Sequence, residues 1–335
     1  MFLTLAQRPG ARNSCRWHQL WDSRFCSIVS VHCQRDRDGF IMATMPVLKA
    51  IFHALPPQAQ GLARRVRIVA NDSRDVVRST LNQRLKKTVF GDLAPMVPPL
   101  YLMQDGARDY REFRQNGLDA FQRCLDFGLR PTDRILDIGS GIGRKTLPLL
   151  AFLRGGSYEG IDPIARQVRW CVEKITPKYP NFKFRKIDVW NKLYNPSGHL
   201  KPSDFTFPFK DNEFDFVILG SVFTHMFSGD MRHYINEIAR VLKAGAHGMI
   251  TFFLLNHESE ALITDGKSSL NLIYEYEDGS KASNSERLES AVGHQEHTVL
   301  DVFEHRGLKA EVAERGSWCG RTASYYQDVI KITRS

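Results

Sequence analysis

The chain has 335 residues, 42% of them hydrophobic and 25% charged. That suffices for one α/β core of about 200 residues with extensions, and no apolar run approaches the ~18 residues needed to span a bilayer. The net charge of +9 belongs to residues 1–100, with 15 Lys+Arg against 6 Asp+Glu, while residues 101–335 are neutral with 31 of each. The six cysteines include no C-x-x-C pair, which points to a reduced, cytoplasmic setting rather than a disulfide scaffold.

Residues 1–45 hold Cys15, Cys26 and Cys33 with no helical or strand period. The expectation is a disordered extension, or sequence upstream of a misassigned start with Met42 or Met45 as the true one. Phe2–Ala6 is too short for a secretory apolar region, and Asp22, Asp36 and Asp38 weigh against a transit peptide. In residues 46–100, Gly61 to Phe90 carries a basic helical pattern. Its apolar stripe is Val66, Val69, Val76, Val77, Leu81 and Leu85, with arginines and lysines largely elsewhere. Such a helix is either the solvated face of a cap or a contact for RNA, DNA or an acidic membrane surface. The scarcity of aromatics to stack bases favours the cap. Pro95, Pro98 and Pro99 then read as a linker.

Tyr101 to Phe121 reads as a helix approaching the most informative stretch, Ile135-Leu136-Asp137-Ile138-Gly139-Ser140-Gly141-Ile142-Gly143. An apolar strand ends at an acid, and alternating glycines allow a tight turn against a ligand. A dinucleotide fingerprint requires glycine at 144, and a phosphate-binding loop ending in Lys145-Thr146 requires it as well. Arg144 stands there. Further on, Tyr158 to Asp162 and Phe182 to Val189 read as strands with acids at Asp162 and Asp188. Phe214 to Ser221 reads as a fourth strand, Arg240 to Ala246 as a turn, and Gly248 to Leu255 as a fifth strand. Gly307 to Ala313 and Gln327 to Ile332 read as a closing hairpin. Taken singly, a strand ending in Asp is ordinary turn chemistry.

In this order and spacing, D-x-G-x-G-x-G and the two strand-end acids resemble the class I S-adenosylmethionine-dependent methyltransferases. The resemblance covers residues 101–335. Ser221 to Met226, Trp170-Cys171 and Gly316 to Arg321 are similar to a mostly bacterial, uncharacterised branch. It implies a doubly wound, mostly parallel seven-stranded sheet with a closing antiparallel hairpin, Rossmann-like, carrying an N-terminal helical extension. The implied cofactor is S-adenosyl-L-methionine, held by Asp137, Gly139, Ser140, Gly141, Gly143, Asp162, Pro163, Asp188, Val189 and Gly220. In the family the glycine loop wraps the methionine end, the acid at Asp162 takes both ribose hydroxyls, and the acid at Asp188 faces the adenine amino group. Gly220-Ser221-Val222-Phe223 departs from the Asn/Asp-Pro-Pro-aromatic tetrad of amino-methylating relatives, which speaks against exocyclic base amines.

Methyl transfer from a sulfonium is an in-line displacement that asks chiefly for alignment; a protonated nucleophile also needs a base. His225, just beyond the fourth strand, is the catalytic candidate, the alternative being a residue that caps or packs the next helix. The segment 256–310, with a hairpin signal at Asp278-Gly279, reads as a substrate cap. His257, His294, Glu296 and His297 within it suggest a metal site only weakly, since His-x-x-His lacks a cysteine partner, and the histidines read as surface residues. The expected activity is methyl transfer to a small-molecule oxygen or nitrogen. An RNA-directed enzyme using residues 61–90 and a non-catalytic cofactor-binding scaffold are the alternatives. Composition leaves the oligomeric state open.

Overall fold

The computed structural model describes residues 83–103 and 107–335. The expectations for residues 1–45, and for the basic helix up to residue 82, lie outside the described residues. Residues 83–90 are helical. The helices are α1 (Tyr110–Asp126), α2 (Thr146–Phe152), α3 (Ala165–Lys174), α4 (Ser228–Val241), α5 (His257–Thr264) and α6 (Glu296–Glu304). The strands of the main sheet are β1 (Arg134–Ile138), β2 (Ser157–Asp162), β3 (Phe182–Lys186), β4 (Phe214–Leu219), β5 (Leu242–Phe252), β10 (Leu308–Glu314) and β11 (Asp328–Arg334). Between β5 and β10 lie the short strands β6 (Leu254–Leu255), β7 (Tyr274–Glu275), β8 (Lys281–Ala282) and β9 (Val292–Gln295).

The seven-stranded sheet has the order β10-β11-β5-β4-β1-β2-β3. β1 to β5 run parallel, and β11 returns antiparallel between β5 and β10. The chain winds outward from β1 through β2 to β3, then restarts on the other side at β4. The carboxyl ends of β1 and β4 therefore flank the point where the winding reverses, the place where an open α/β sheet leaves a crevice.

Strand alternation divides the core. Side chains of successive strand residues face opposite ways. Ile135, Phe216 and Ile218 accordingly pack with α1, α2 and α3, whereas Leu136, Ile138, Val217 and Leu219 pack with α4 and α6. Because both faces are covered, β1 and β4 read as near-continuous apolar runs, as parallel strands do. Asp109 starts α1 by accepting the backbone N–H groups of Arg111 (2.8 Å) and Glu112 (2.9 Å), two of the orphan donors at a helix start. Tyr110 and Phe113 on this helix are core residues in edge contact with Phe90, and Arg108 pairs with Glu112.

The proline stretch expected as a linker is packed. Met96 is 2% exposed and Val97 fully buried, and the Trp170 indole N–H lies 3.4 Å from the Met96 carbonyl. Proline is tolerated here because the segment forms short 3₁₀ turns, Gly91–Met96 and Leu100–Leu102, rather than a long helix. Beyond β5, β6-β9-β8-β7 form a second, four-stranded sheet. Asp278 and Gly279 turn its hairpin with positive φ angles of 58° and 73°, as the sequence signal required. The strand that leads into this turn is short, Tyr274–Glu275. α6 belongs to the main fold, since Val299, Val302 and Phe303 join the core under β10.

Candidate active site

A cavity of about 300 Å³ opens at the carboxyl ends of β1, β2 and β4, within the size range of ligand pockets. Its wall includes Gly139, Gly141, Asp162, Pro163, Val189, Gly220 and His225, seven of the expected site residues. Asp137, Ser140, Gly143 and Asp188 do not line it.

The glycine turn is held from β2. The N–H groups of Gly139 and Ser140 donate to the Ile161 carbonyl at 2.9 and 3.1 Å. The Gly141 N–H donates to Asp162 Oδ2 at 2.8 Å, and the Ile164 N–H to Asp162 Oδ1 at 2.8 Å. Asp162 thus fixes the glycine loop directly. Burial pushes its carboxyl up to about 6, against the pull of those two amides. Each oxygen keeps a lone pair beyond the one engaged, so room remains for hydroxyl donors. Gly139, Gly141 and Gly143 all have positive φ (71°, 57° and 84°). At Gly139 a Cβ would stand 2.4 Å from Val222 Cγ2, so backbone replaces side chain where the β1 and β4 loops meet.

Asp137 works one layer below. It is fully buried, accepts the Tyr158 hydroxyl at 2.6 Å and pairs with Lys145 Nζ at 3.1 Å. Burial raises its pKa and Lys145 opposes the rise. The same ammonium donates to the Gly139 carbonyl at 3.0 Å and lies on the cavity wall. Lys145 is thereby a site residue absent from the sequence-derived set. Ser140 packs against Gly160, where a Cβ would come 2.8 Å from its own Cβ. Gly143 faces Cys171 and Ile175.

Asp188 is engaged elsewhere. Its carboxylate takes His199 Nδ1 at 2.6 Å and Lys186 Nζ at 2.8 Å; these partners hold its pKa below the usual carboxylate range. Its carbonyl accepts the N–H groups of His199 and Leu200. Asp188 therefore anchors the long connection from β3 to β4, and that connection carries Trp190, Asn191, Tyr194 and Pro202 onto the cavity wall.

His225 ends a short 3₁₀ turn, Phe223–His225, after β4. Its Nδ1 is 2.9 Å from the Glu289 carbonyl. A carbonyl only accepts, so Nδ1 carries the proton and Nε2 offers a lone pair. The Tyr194 hydroxyl stands 3.3 Å from Nε2 and donates to it. Burial draws the His225 pKa down, so the imidazole is neutral at neutral pH, the form a general base needs. Beside it Ser221 has a φ of 59°, uncommon for a residue with a side chain. Its N–H donates to Thr251 Oγ1 at 2.8 Å, and the Ser221 and Thr251 hydroxyls both donate to Gln327 Oε1, at 2.9 and 2.7 Å.

The histidines of the segment after β5 do not share one environment. His257 and His297 are exposed, but His294 is 2% exposed, with Nε2–H donating to the Phe223 carbonyl at 3.0 Å. It is a core residue rather than a surface one, because β9 passes beneath the turn that ends at His225.

Residues 136–250 match the family of methyltransferase domains. An uncharacterised methyltransferase from Schizosaccharomyces pombe is 29% identical over 145 residues, covering 39% of this chain; the chain spans about half (49%) of that relative's length. Among solved structures, a protein from Pyrococcus horikoshii gives a TM-score of 0.47 at 15% identity, covering 68% of this chain and 93% of its own. The magnesium protoporphyrin IX methyltransferase of Synechocystis, with bound S-adenosylhomocysteine, gives 0.45 at 16% identity, covering 70% and 92%. A methyltransferase from Methanosarcina mazei gives 0.43 at 20% identity, covering 63% and 96%. The matched residues 136–250 take in the glycine turn after β1, the acid closing β2 and strand β4, so this part of the sheet is similar to a methyltransferase domain.

Proposed function

We propose that the protein transfers a methyl group from S-adenosylmethionine to an oxygen or nitrogen atom of a small molecule held in the same cavity. The observation that carries this reading is the meeting of the glycine turn, Asp162 and His225 on one wall of about 300 Å³. The residues fit the cofactor. Gly139 and Gly220 put bare backbone on the cavity wall, and the space a Cβ would take at Gly139 is already filled by Val222, at 2.4 Å. Lys145 matches the cofactor's carboxylate, Asp162 and Pro163 the ribose, and Ile187 and Val189 the apolar faces of the adenine. When bound, the cofactor supplies a methyl group on a sulfonium, primed for displacement.

The protein's own part is alignment and proton removal. Alignment of the nucleophile with the methyl group supplies most of the acceleration in such a displacement. Asp137, Ser140 and Gly143 act by holding the turn and Lys145 in place, and Asp188 by anchoring the β3–β4 connection. His225 is the base, and its Nε2 ends the transfer protonated. The segment after β5 covers the acceptor side, where the Glu289 carbonyl fixes the His225 ring.

Calorimetry with S-adenosylmethionine, followed by transfer of a labelled methyl group into a metabolite extract and into total RNA, tests the reading. Binding with label in small molecules is expected. His225→Ala should bind the cofactor as the native protein does and lose a hundredfold or more in transfer, the order that general-base removal costs. Absence of cofactor binding, or label confined to RNA, overturns the proposal.

A further inference from the structure

Two insertions meet at the cavity, and their junction places a phenol against the half-buried imidazole of His225. Tyr194 comes from the β3–β4 connection and is 41% exposed. Its hydroxyl is 3.3 Å from His225 Nε2, and the two rings meet edge to face at 5.3 Å. The other imidazole nitrogen is committed to the Glu289 carbonyl. Glu289 also fixes the loop that carries Tyr194, its carboxylate accepting the Lys192 N–H at 3.2 Å while Lys192 Nζ reaches the Glu286 carbonyl at 3.2 Å. The Tyr194 hydroxyl therefore stands on the one imidazole nitrogen that offers a lone pair.

The charge around this junction bears on the acceptor. Asp162 is the carboxylate on the cavity wall among the described residues, and the cofactor reading above commits it to the ribose hydroxyls. An ammonium acceptor would lack a dedicated counter-ion there, whereas a neutral hydroxyl needs only a proton acceptor. The same wall carries Trp190, Val222, Met226 and Tyr234, an apolar and aromatic surface that suits an apolar or aromatic body, along with the neutral polar Asn191, Ser221 and Gln327.

We propose that Tyr194 is a catalytic residue that relays the acceptor's proton to His225, and that the acceptor is a neutral hydroxyl on an apolar or aromatic molecule. This rests on the methyltransferase reading above and narrows it. The acceptor O–H gives its proton to the Tyr194 oxygen as the phenol proton passes to His225 Nε2. The acceptor oxygen bonds to the methyl carbon, whose former bond leaves its electron pair on sulfur. A neutral ether and thioether result, and the positive charge rests on the imidazolium. Glu289, Lys192, Asp230 and Asp162 are the charged groups around the pair.

The test has two arms on the full chain. In the first, ring ¹⁵N signals of His225 are followed against pH in the native protein and in Tyr194→Phe. A hydroxyl donating to Nε2 favours the neutral ring, so its loss should raise the His225 pKa by about half a unit or more. An unchanged titration overturns the relay. The second arm uses S-adenosylmethionine carrying a ¹³C methyl group with a metabolite extract, and sorts products by carbon shift into methoxy and N-methyl. Methoxy products, reduced at least tenfold by Tyr194→Phe with cofactor affinity unchanged, support the proposal; that variant keeps the ring and its packing. N-methyl products alone overturn the hydroxyl acceptor. No labelled product at all overturns the methyltransferase reading beneath it.

Discussion

Gly139→Ala and Gly155→Ala make a matched pair of perturbations, because both sites have positive φ and only one is crowded. Gly139 has φ 71° and Gly155 φ 83°, so an alanine at either pays a similar conformational cost, about 1 kcal/mol, offset equally by reduced freedom of the unfolded chain. A Cβ at 155 meets nothing within 4 Å, whereas one at 139 falls 2.4 Å from Val222 Cγ2. Val222 is β-branched and stiff at χ1, so the β4 loop must shift. Overpacking of this kind adds about 1–3 kcal/mol. Urea unfolding should thus find Gly139→Ala less stable than Gly155→Ala by about that amount, provided the slopes agree. Calorimetry should show cofactor affinity at least tenfold weaker in Gly139→Ala and unchanged in Gly155→Ala, since Val222 and the glycine turn share the cavity wall. Equal stability and equal affinity in the two variants would refute the account of the turn.

Two further outcomes are expected. Lys145→Met leaves the fully buried Asp137 without its ammonium and should cost about 3–5 kcal/mol; the loss should shrink as pH falls and Asp137 takes a proton, and a pH-independent loss would count against the pairing. His294 is buried, with its pKa lowered to about 4 and Nδ1 unpartnered. Its folded form resists a proton that the unfolded chain accepts below pH ~6.5. Stability is therefore complete above that value and declines as pH falls toward 4, by up to about 3 kcal/mol. Unfolding of His294→Gln between pH 4 and 7 should show a shallower acid decline, and an identical slope would exclude His294 as its source.

The sheet was legible because its signals are local. Apolar runs ending in Asp137 and Asp162, with glycines between, specify β1, its turn and β2. Contacts across long sequence separations were not. Tyr194 and His225 are 31 residues apart, and nothing near Tyr194 marks it as facing an imidazole. Asp188 does follow a strand, as expected, but its partners are fixed by the connection that folds back on it. Lys145 was weighed only as a phosphate-loop lysine, though its partner Asp137 stands in the same motif. Met96 and Val97 lie inside a proline cluster whose composition suggests a linker, and only packing against Trp170 reveals them as core.

The most direct test is a crystal structure of the protein with S-adenosylhomocysteine. The ribose hydroxyls are expected within hydrogen-bond distance of Asp162, the carboxylate beside Lys145, and the sulfur facing Tyr194 and His225. A ligand bound away from the Gly139–Gly143 turn, or with its sulfur turned from that pair, would contradict it.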